Sequence, residues 1–280
     1  MKVHIMTDLE AVAGVVSQVD YCIPPGPNKY GLTDTGRNYE QARQLITLEV
    51  NAAIEGLIQG GATDIFVCDG HGFGSIDVSR IHRAARVLTG TGMAYPMGLD
   101  DSFDATIMIG QHAMGNTDGG HLCHSGSFSR EQWRLNGQLI GEIHLWALLA
   151  QYFNVPLVMI SGDKAGCAEA KSLIPSIHTV EVIEGVKRGS TADMTAHEAL
   201  TWNVPAIHVA PARSREMIRD AAGQCLAERD SVERYWIEPP YEVVRVQRRT
   251  EDQPGKRSVN HGNDLIEVLT QQARYESVVQ

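Results

Sequence analysis

The chain alternates short runs of apolar, strand-favouring residues with longer segments whose apolar positions recur every three or four residues. That is the pattern of an α/β sheet with crossover helices. Lys2 to Met6 is expected as the first strand, Ile65 to Cys68 as a buried one and Ala105 to Ile109 as a third. Between the first two, Ile46, Val50, Ala53, Ile54 and Leu57 share one helical face, and Gly60-Gly61 supplies the stop. Residues 19 to 35 hold Pro24-Pro25-Gly26-Pro27 and further turn formers, so an ordered loop or lid is expected there. Asn136-Gly137, flanked by Trp133-Arg134-Leu135 and Gln138-Leu139-Ile140, predicts a hairpin, with a helix starting near Gly141. Pro156 to Ile160 reads as a strand ending in Ser161-Gly162-Asp163, and Lys164 to Leu173 as a helix. Beyond about residue 190 the pattern weakens, with helices expected over 191–202, 212–229 and 264–274 and a strand over 241–246.

The expected architecture is an open mixed or parallel sheet flanked by helices. Residues 1–190 form a metal-binding α/β domain, and residues 191–280 a smaller α/β region that packs on it or makes oligomer contacts. With 280 residues and 43% hydrophobic content, the chain can bury a core in one large domain or two small ones. A net charge of −10 without any Lys/Arg cluster argues against a nucleic-acid or anionic-membrane partner and leaves small molecules or peptides. No apolar run has the length of a signal peptide or a membrane span, so a cytoplasmic protein is expected. The five cysteines are odd in number and lack CxxC spacing, which suits a reducing compartment and gives no structural zinc ligand.

The chemistry follows from what stands at the strand ends. In open α/β sheets, loops at the carboxyl ends of the strands converge on one edge, where ligands bind. Asp8 and Glu10 follow the first strand, His71 follows the strand ending at Cys68, and His112 follows the strand ending at Ile109. Glu142 opens the helix after the hairpin. Each alone has an ordinary structural role, since an Asp after a strand is commonly a turn former or cap and a Glu in a first helical turn satisfies the dipole. Together, two imidazoles and three carboxylates at one edge point to a divalent metal site. Oxygen and nitrogen donors without thiolates suit zinc or manganese, and a bridging carboxylate holds two ions about 3.5 to 4 Å apart. Asp69 is either a partner for His71 or a turn former, and His121 is read as a satisfied loop histidine.

Over most of the first 190 residues the chain resembles the M55 metallopeptidase family. The resemblance lies in Asp8-Leu9-Glu10 with Gly14, Gly36-Arg37-Asn38-Tyr39-Glu40, Cys68-Asp69-Gly70-His71 and Gly110-Gln111-His112-Ala113, followed by Cys123-His124-Ser125, Gly141-Glu142 and Ser161-Gly162-Asp163. It implies two zinc ions per subunit, with Asp8 bridging them, Glu10 and Glu142 completing one site, and His71 and His112 the other. His124 matches the family's catalytic residue, as nucleophile, general acid or base, or oxyanion stabiliser. The implied activity is aminopeptidase cleavage of short peptides, particularly those with D-residues, by metal-activated water. The implied assembly is a homo-oligomer, in the family a decamer of two pentameric rings. The stretch 19–35 looks longer than in the family, Thr201 to Pro205 looks inserted, and the chain after Val246 looks shorter. Two other readings stand beside this one: an amidohydrolase acting on a non-peptide amide, and a silent small-ligand binding protein. Silence fits poorly with three mutually repelling carboxylates that only a cation would reconcile.

Overall fold

The computed structural model describes residues 1–28, 30–90 and 95–277. In chain order the elements are β1 (Lys2–Thr7), α1 (Tyr39–Gln59), β2 (Asp64–Asp69), β3 (Ala85–Leu88), β4 (Ala105–Gln111), β5 (Arg130–Leu135), β6 (Gln138–Leu139) and α2 (Glu142–Tyr152). They continue with β7 (Leu157–Asp163), α3 (Lys164–Leu173), β8 (His178–Gly185), α4 (Ala196–Trp202), β9 (Ala206–His208), α5 (Pro211–Cys225), β10 (Tyr241–Gln247), β11 (Lys256–Gly262), α6 (Leu265–Thr270) and β12 (Glu276–Ser277).

The main sheet has seven strands in the order β3-β2-β1-β4-β7-β8-β9. Every neighbouring pair is parallel except β8 with β9, so of the mixed or parallel sheet expected it is the mixed form, dominated by parallel pairs, that is found. Its central strands are buried on both faces, with Val3, Ile5, Ile107, Ile109, Val158 and Ile160 in the core, which is why they read as continuous apolar runs. The 21-residue α1 buries Ile46, Val50, Ala53, Ile54 and Leu57, the face its periodicity predicts. It packs against α5, where Gly56 lets the Arg219 carbonyl approach to a distance that leaves no room for a Cβ.

A second, antiparallel sheet runs β12-β11-β10-β5-β6. The β5–β6 hairpin turns on Asn136 and Gly137, both at positive φ (49° and 80°), as a two-residue turn of this type requires. Segments after residue 190 join both layers: β9 adds to the main sheet, α5 covers α1, and β10 pairs with β5.

Several boundaries differ from the sequence expectation, for local reasons. The helix expected from residue 191 begins at Ala196, because Thr195 caps it: the Thr195 hydroxyl accepts from Glu198 N at 3.3 Å and Glu198 Oε2 accepts from Thr195 N at 2.7 Å. The helix expected over 212–229 tightens to a 3₁₀ turn from Leu226, and the last helix stops at Thr270. Strands β3, β8, β9, β11 and β12 were not anticipated; β11, Lys256–Gly262, is mostly polar and half-exposed and lacks the apolar run that marked the others.

Candidate metal centre

The strand order β2-β1-β4 explains why the candidate residues meet. Asp8 and Glu10 leave the end of β1, His71 the end of β2 and His112 the end of β4, so three adjacent parallel strands deliver them to one edge. At Gly110 the chain passes through φ +80° and the register between β4 and β7 shifts, forming a bulge that carries the chain into His112. Asp8 N donates to Ile109 O at 2.8 Å and Ala11 N to Gly110 O at 3.0 Å, locking the two strand ends together. Glu142 comes from elsewhere, as the first residue of α2, and is buried there.

The six side chains fall into two groups of buried donors, Asp8, Glu10 and His71 in one and His112, His124 and Glu142 in the other, with the donor atoms of each group within 4.8 Å of one another. His71 Nδ1 lies 3.2 Å from Asp8 Oδ1 and 3.3 Å from Glu10 Oε2. His112 Nε2 lies 3.3 Å from Asp8 Oδ2 and 3.6 Å from Glu142 Oε1. Asp8 therefore faces both groups, one oxygen each. The pairing differs from the one the family resemblance implied: Glu10 sits with His71, and Glu142 with His112 and His124. His124 Nε2 is 3.9 Å from Glu142 Oε1, and its ring stacks between those of His112 and Phe128 at centroid distances of 4.1 and 4.4 Å.

Each imidazole has one nitrogen tied to a backbone carbonyl and the other turned to the carboxylates. His71 Nε2 pairs with Cys22 O at 2.7 Å, His112 Nδ1 with Ala113 O at 2.8 Å and His124 Nδ1 with Leu122 O at 3.0 Å. A carbonyl only accepts, so these nitrogens carry the hydrogen and the inward nitrogens are free to bind a cation. The carboxylates are held in turn: Gln111 Nε2 reaches Asp8 Oδ2 at 3.4 Å, Gln18 Nε2 donates to Glu10 Oε1 at 3.0 Å, and Gly126 N to Glu142 Oε1 at 2.7 Å.

The electrostatics follow from that crowding. Burial works against the ionised forms of Asp8, Glu10 and Glu142, but the facing imidazoles outweigh it, and all three titrate below their usual range, Glu142 at about 2. Burial likewise works against protonation of His71 and His112, and the carboxylates more than reverse it, raising both well above the ordinary imidazole value. His124 goes the other way, lowered by burial and then by His112. A cation set among the inward nitrogens and oxygens would replace the protons on His71 and His112. The donor set fits zinc or a similar divalent ion, and the inward His112 Nε2, buried without a hydrogen-bond partner among the described residues, is an atom that such an ion would satisfy.

Other residues take structural roles. Asp69 does not meet His71; its carboxylate accepts from Ser75 N at 2.9 and 2.8 Å, Ser75 Oγ at 2.7 Å and Ile76 N at 3.1 Å, fixing the turn after His71. His121 lies outside both groups, with Nε2 3.2 Å from Val15 O. The supports from Gln18, the Cys22 carbonyl and Gly126 N were not foreseen, and main-chain partners leave no signature in a sequence.

A model of the M55 peptidase family, described as D-aminopeptidase, matches residues 1–279. The chain belongs to this family. M55 membership thus extends well past residue 190, where the motif resemblance faded. A D-aminopeptidase of Bacillus subtilis strain 168 is 30% identical over 203 residues, which span 71% of this chain and 69% of that protein. A solved structure, described as a Zn-dependent D-aminopeptidase, DppA, from Bacillus subtilis and as a self-compartmentalizing protease, superposes with a TM-score of 0.77. It is 23% identical, covering 96% of this chain and 94% of that one, which establishes a shared fold. No helix among the described residues is long and apolar enough to cross a membrane.

Proposed function

We propose that this M55 protein is a dinuclear zinc aminopeptidase that removes N-terminal residues from short peptides, D-residues included. The observation that carries the reading is the pair of buried three-residue donor groups with Asp8 facing both. Bound divalent ions at such a site acidify water and polarise a carbonyl oxygen. Asp8 would serve both ions, with Glu10 and His71 holding one and His112 and Glu142 the other.

His124 is the catalytic residue in this reading. Its Nδ1 is committed to Leu122 O, and its lowered pKa keeps Nε2 unprotonated near neutrality, so Nε2 can take a proton from the attacking water and return it to the leaving amine. The cleft beside these groups is about 80 Å³ and is lined by Gln18, Tyr30, Phe73 and Ser127 beside the carboxylates, His71 and His124. That is room for a few water-sized groups, which suits a chain terminus and its scissile amide.

A homo-oligomer, as a decamer of two pentameric rings, extends the reading, supported by the self-compartmentalizing neighbour; sedimentation velocity reads it directly. The five buried free thiols suit a cytoplasmic location. The central test combines metal analysis with a hydrolysis screen of D- and L-amino-acid p-nitroanilides, N-acylated counterparts and non-peptide amides. The expected result is two zinc ions per chain and turnover confined to free amines. Activity on N-acyl or non-peptide amides alone would instead support an amidohydrolase. In His124→Ala, turnover should vanish with metal content near normal; loss of an ion would make His124 a ligand.

A further inference from the structure

Gln18, which lines the cleft, opens the short π-helical turn Gln18–Cys22, and this turn grips the candidate metal centre at two points. Gln18 Nε2 donates to Glu10 Oε1 at 3.0 Å, and the Cys22 carbonyl accepts from His71 Nε2 at 2.7 Å. The turn is rigidly seated. Ser17 Oγ accepts from Asp20 N at 3.3 Å, Gly36 N and Asn38 N donate to the Val19 and Asp20 carbonyls at 2.9 Å, and Arg37 Nε meets Asp20 Oδ1 at 2.7 Å.

Gln18 lines the cleft, is only 3% exposed, and its Oε1 has no hydrogen-bond partner among the described residues. The amide cannot simply turn over, because Glu10 is a carboxylate and accepts only; the NH₂ must face Glu10, which leaves the carbonyl oxygen without a donor. Buried polar atoms in folded proteins are almost always paired, so an orphan at a reaction cleft points to a ligand that pairs it. Several of the cleft's other acceptors are already engaged. Oxygens of Asp8, Glu10 and Glu142 face the imidazoles, and Ser127 Oγ accepts from Ser129 N at 3.3 Å.

We propose that Gln18 Oε1 accepts a hydrogen bond from the free α-amino group of the substrate, making Gln18 the residue that selects an unblocked N-terminus. The proposal rests on the aminopeptidase reading. A substrate lacking the amine leaves Oε1 buried and unpaired, and sites built to pair a polar group discriminate strongly against analogues that lack it.

The test uses two hydroxamates matched except for the amine, D-alanine hydroxamate and propionohydroxamate, as inhibitors of the zinc-loaded protein and of Gln18→Met and Gln18→Glu. The wild type should prefer the amine-bearing member by about tenfold or more, the scale of a hydrogen bond to a charged donor. Gln18→Met should reduce that ratio to about twofold or less, beyond any weakening that both inhibitors share through the lost bond to Glu10, and Gln18→Glu, which when protonated keeps a donor to Glu10 and an acceptor, should retain the preference. Gln18→Leu replaces Gln18→Met if the latter does not fold. Equal weakening of both inhibitors would show that Gln18 acts only through Glu10 and overturn the proposal. An unchanged ratio in Gln18→Met would overturn it as well, with the aminopeptidase reading intact. A wild type with no preference for the amine would sink the aminopeptidase reading and this proposal together.

Discussion

Gly110→Ala is the sharpest single perturbation of the metal centre, because it alters no ligand. Gly110 adopts φ +80°, and a Cβ there would sit 2.2 Å from the Asp8 carbonyl oxygen, where 3.0 Å is the closest real approach. The left-handed backbone disfavours alanine by about 1 to 2 kcal/mol. One strand end must also retreat by about 0.8 Å to relieve the contact, straining the Asp8 N to Ile109 O and Ala11 N to Gly110 O bonds, each worth about 1 kcal/mol. The expected loss is about 3 kcal/mol, read as a lower urea midpoint at unchanged slope in chelator-treated protein. Because Asp8 moves with the strand end, the zinc-loaded variant should also lose turnover on the order of a hundredfold. A variant within about 1 kcal/mol of wild type that retains its turnover would refute the claim that the β1–β4 junction positions Asp8.

Three further outcomes are expected. Glu169 Oε2 accepts from Met114 N at 2.8 Å and Oε1 meets His144 Nδ1 at 2.9 Å, joining the His112 loop to the helix that begins with Glu142; Glu169→Ala should weaken zinc binding about 10- to 100-fold in a chelator competition, and unchanged affinity would exclude that support. Asp69→Ala removes the acceptor for Ser75 and Ile76 and should cost about 2 kcal/mol in urea denaturation, whereas a neutral result would assign the turn's rigidity elsewhere. Glu49 is buried between α1 and α5, and burial raises its pKa from 4.5 to about 7. The folded state holds that proton more tightly, so this contribution to stability is full below pH 4.5 and is lost as pH rises to about 7. Glu49→Gln, still able to accept from Ser214 and Ala13, should therefore be more stable than wild type at pH 8, by up to about 3 kcal/mol. The gap should close toward pH 4.5, and a gap independent of pH would contradict it.

The parts of the molecule legible in the sequence are those with strong periodicity or special backbone chemistry. The apolar runs of β1, β2, β4 and β7 stand out because both faces of those strands are buried, α1 because its apolar face is regular, and the hairpin because Asn136-Gly137 tolerates positive φ. The edge strand β9 and the largely polar β11 offered no such signal, since a half-exposed strand needs few apolar residues. In the site, the ligand-type side chains were readable because they follow predicted strand ends. Their division into two groups was not, because it depends on which oxygen of Asp8 faces which ring. Asp69 illustrates the same limit: its two possible roles differ only in the direction its carboxylate points, and it points to Ser75.

The three carbonyl tethers of His71, His112 and His124 have a consequence for how this centre tolerates change. Cys22, Ala113 and Leu122 serve through the main chain, which every amino acid possesses. Ring orientation and the position of the ring hydrogen are thus inherited from the course of the backbone, before any ion arrives. The identities at these positions are open to drift so long as the path of the chain is kept, and the imidazoles enter binding already oriented, with little freedom left to lose.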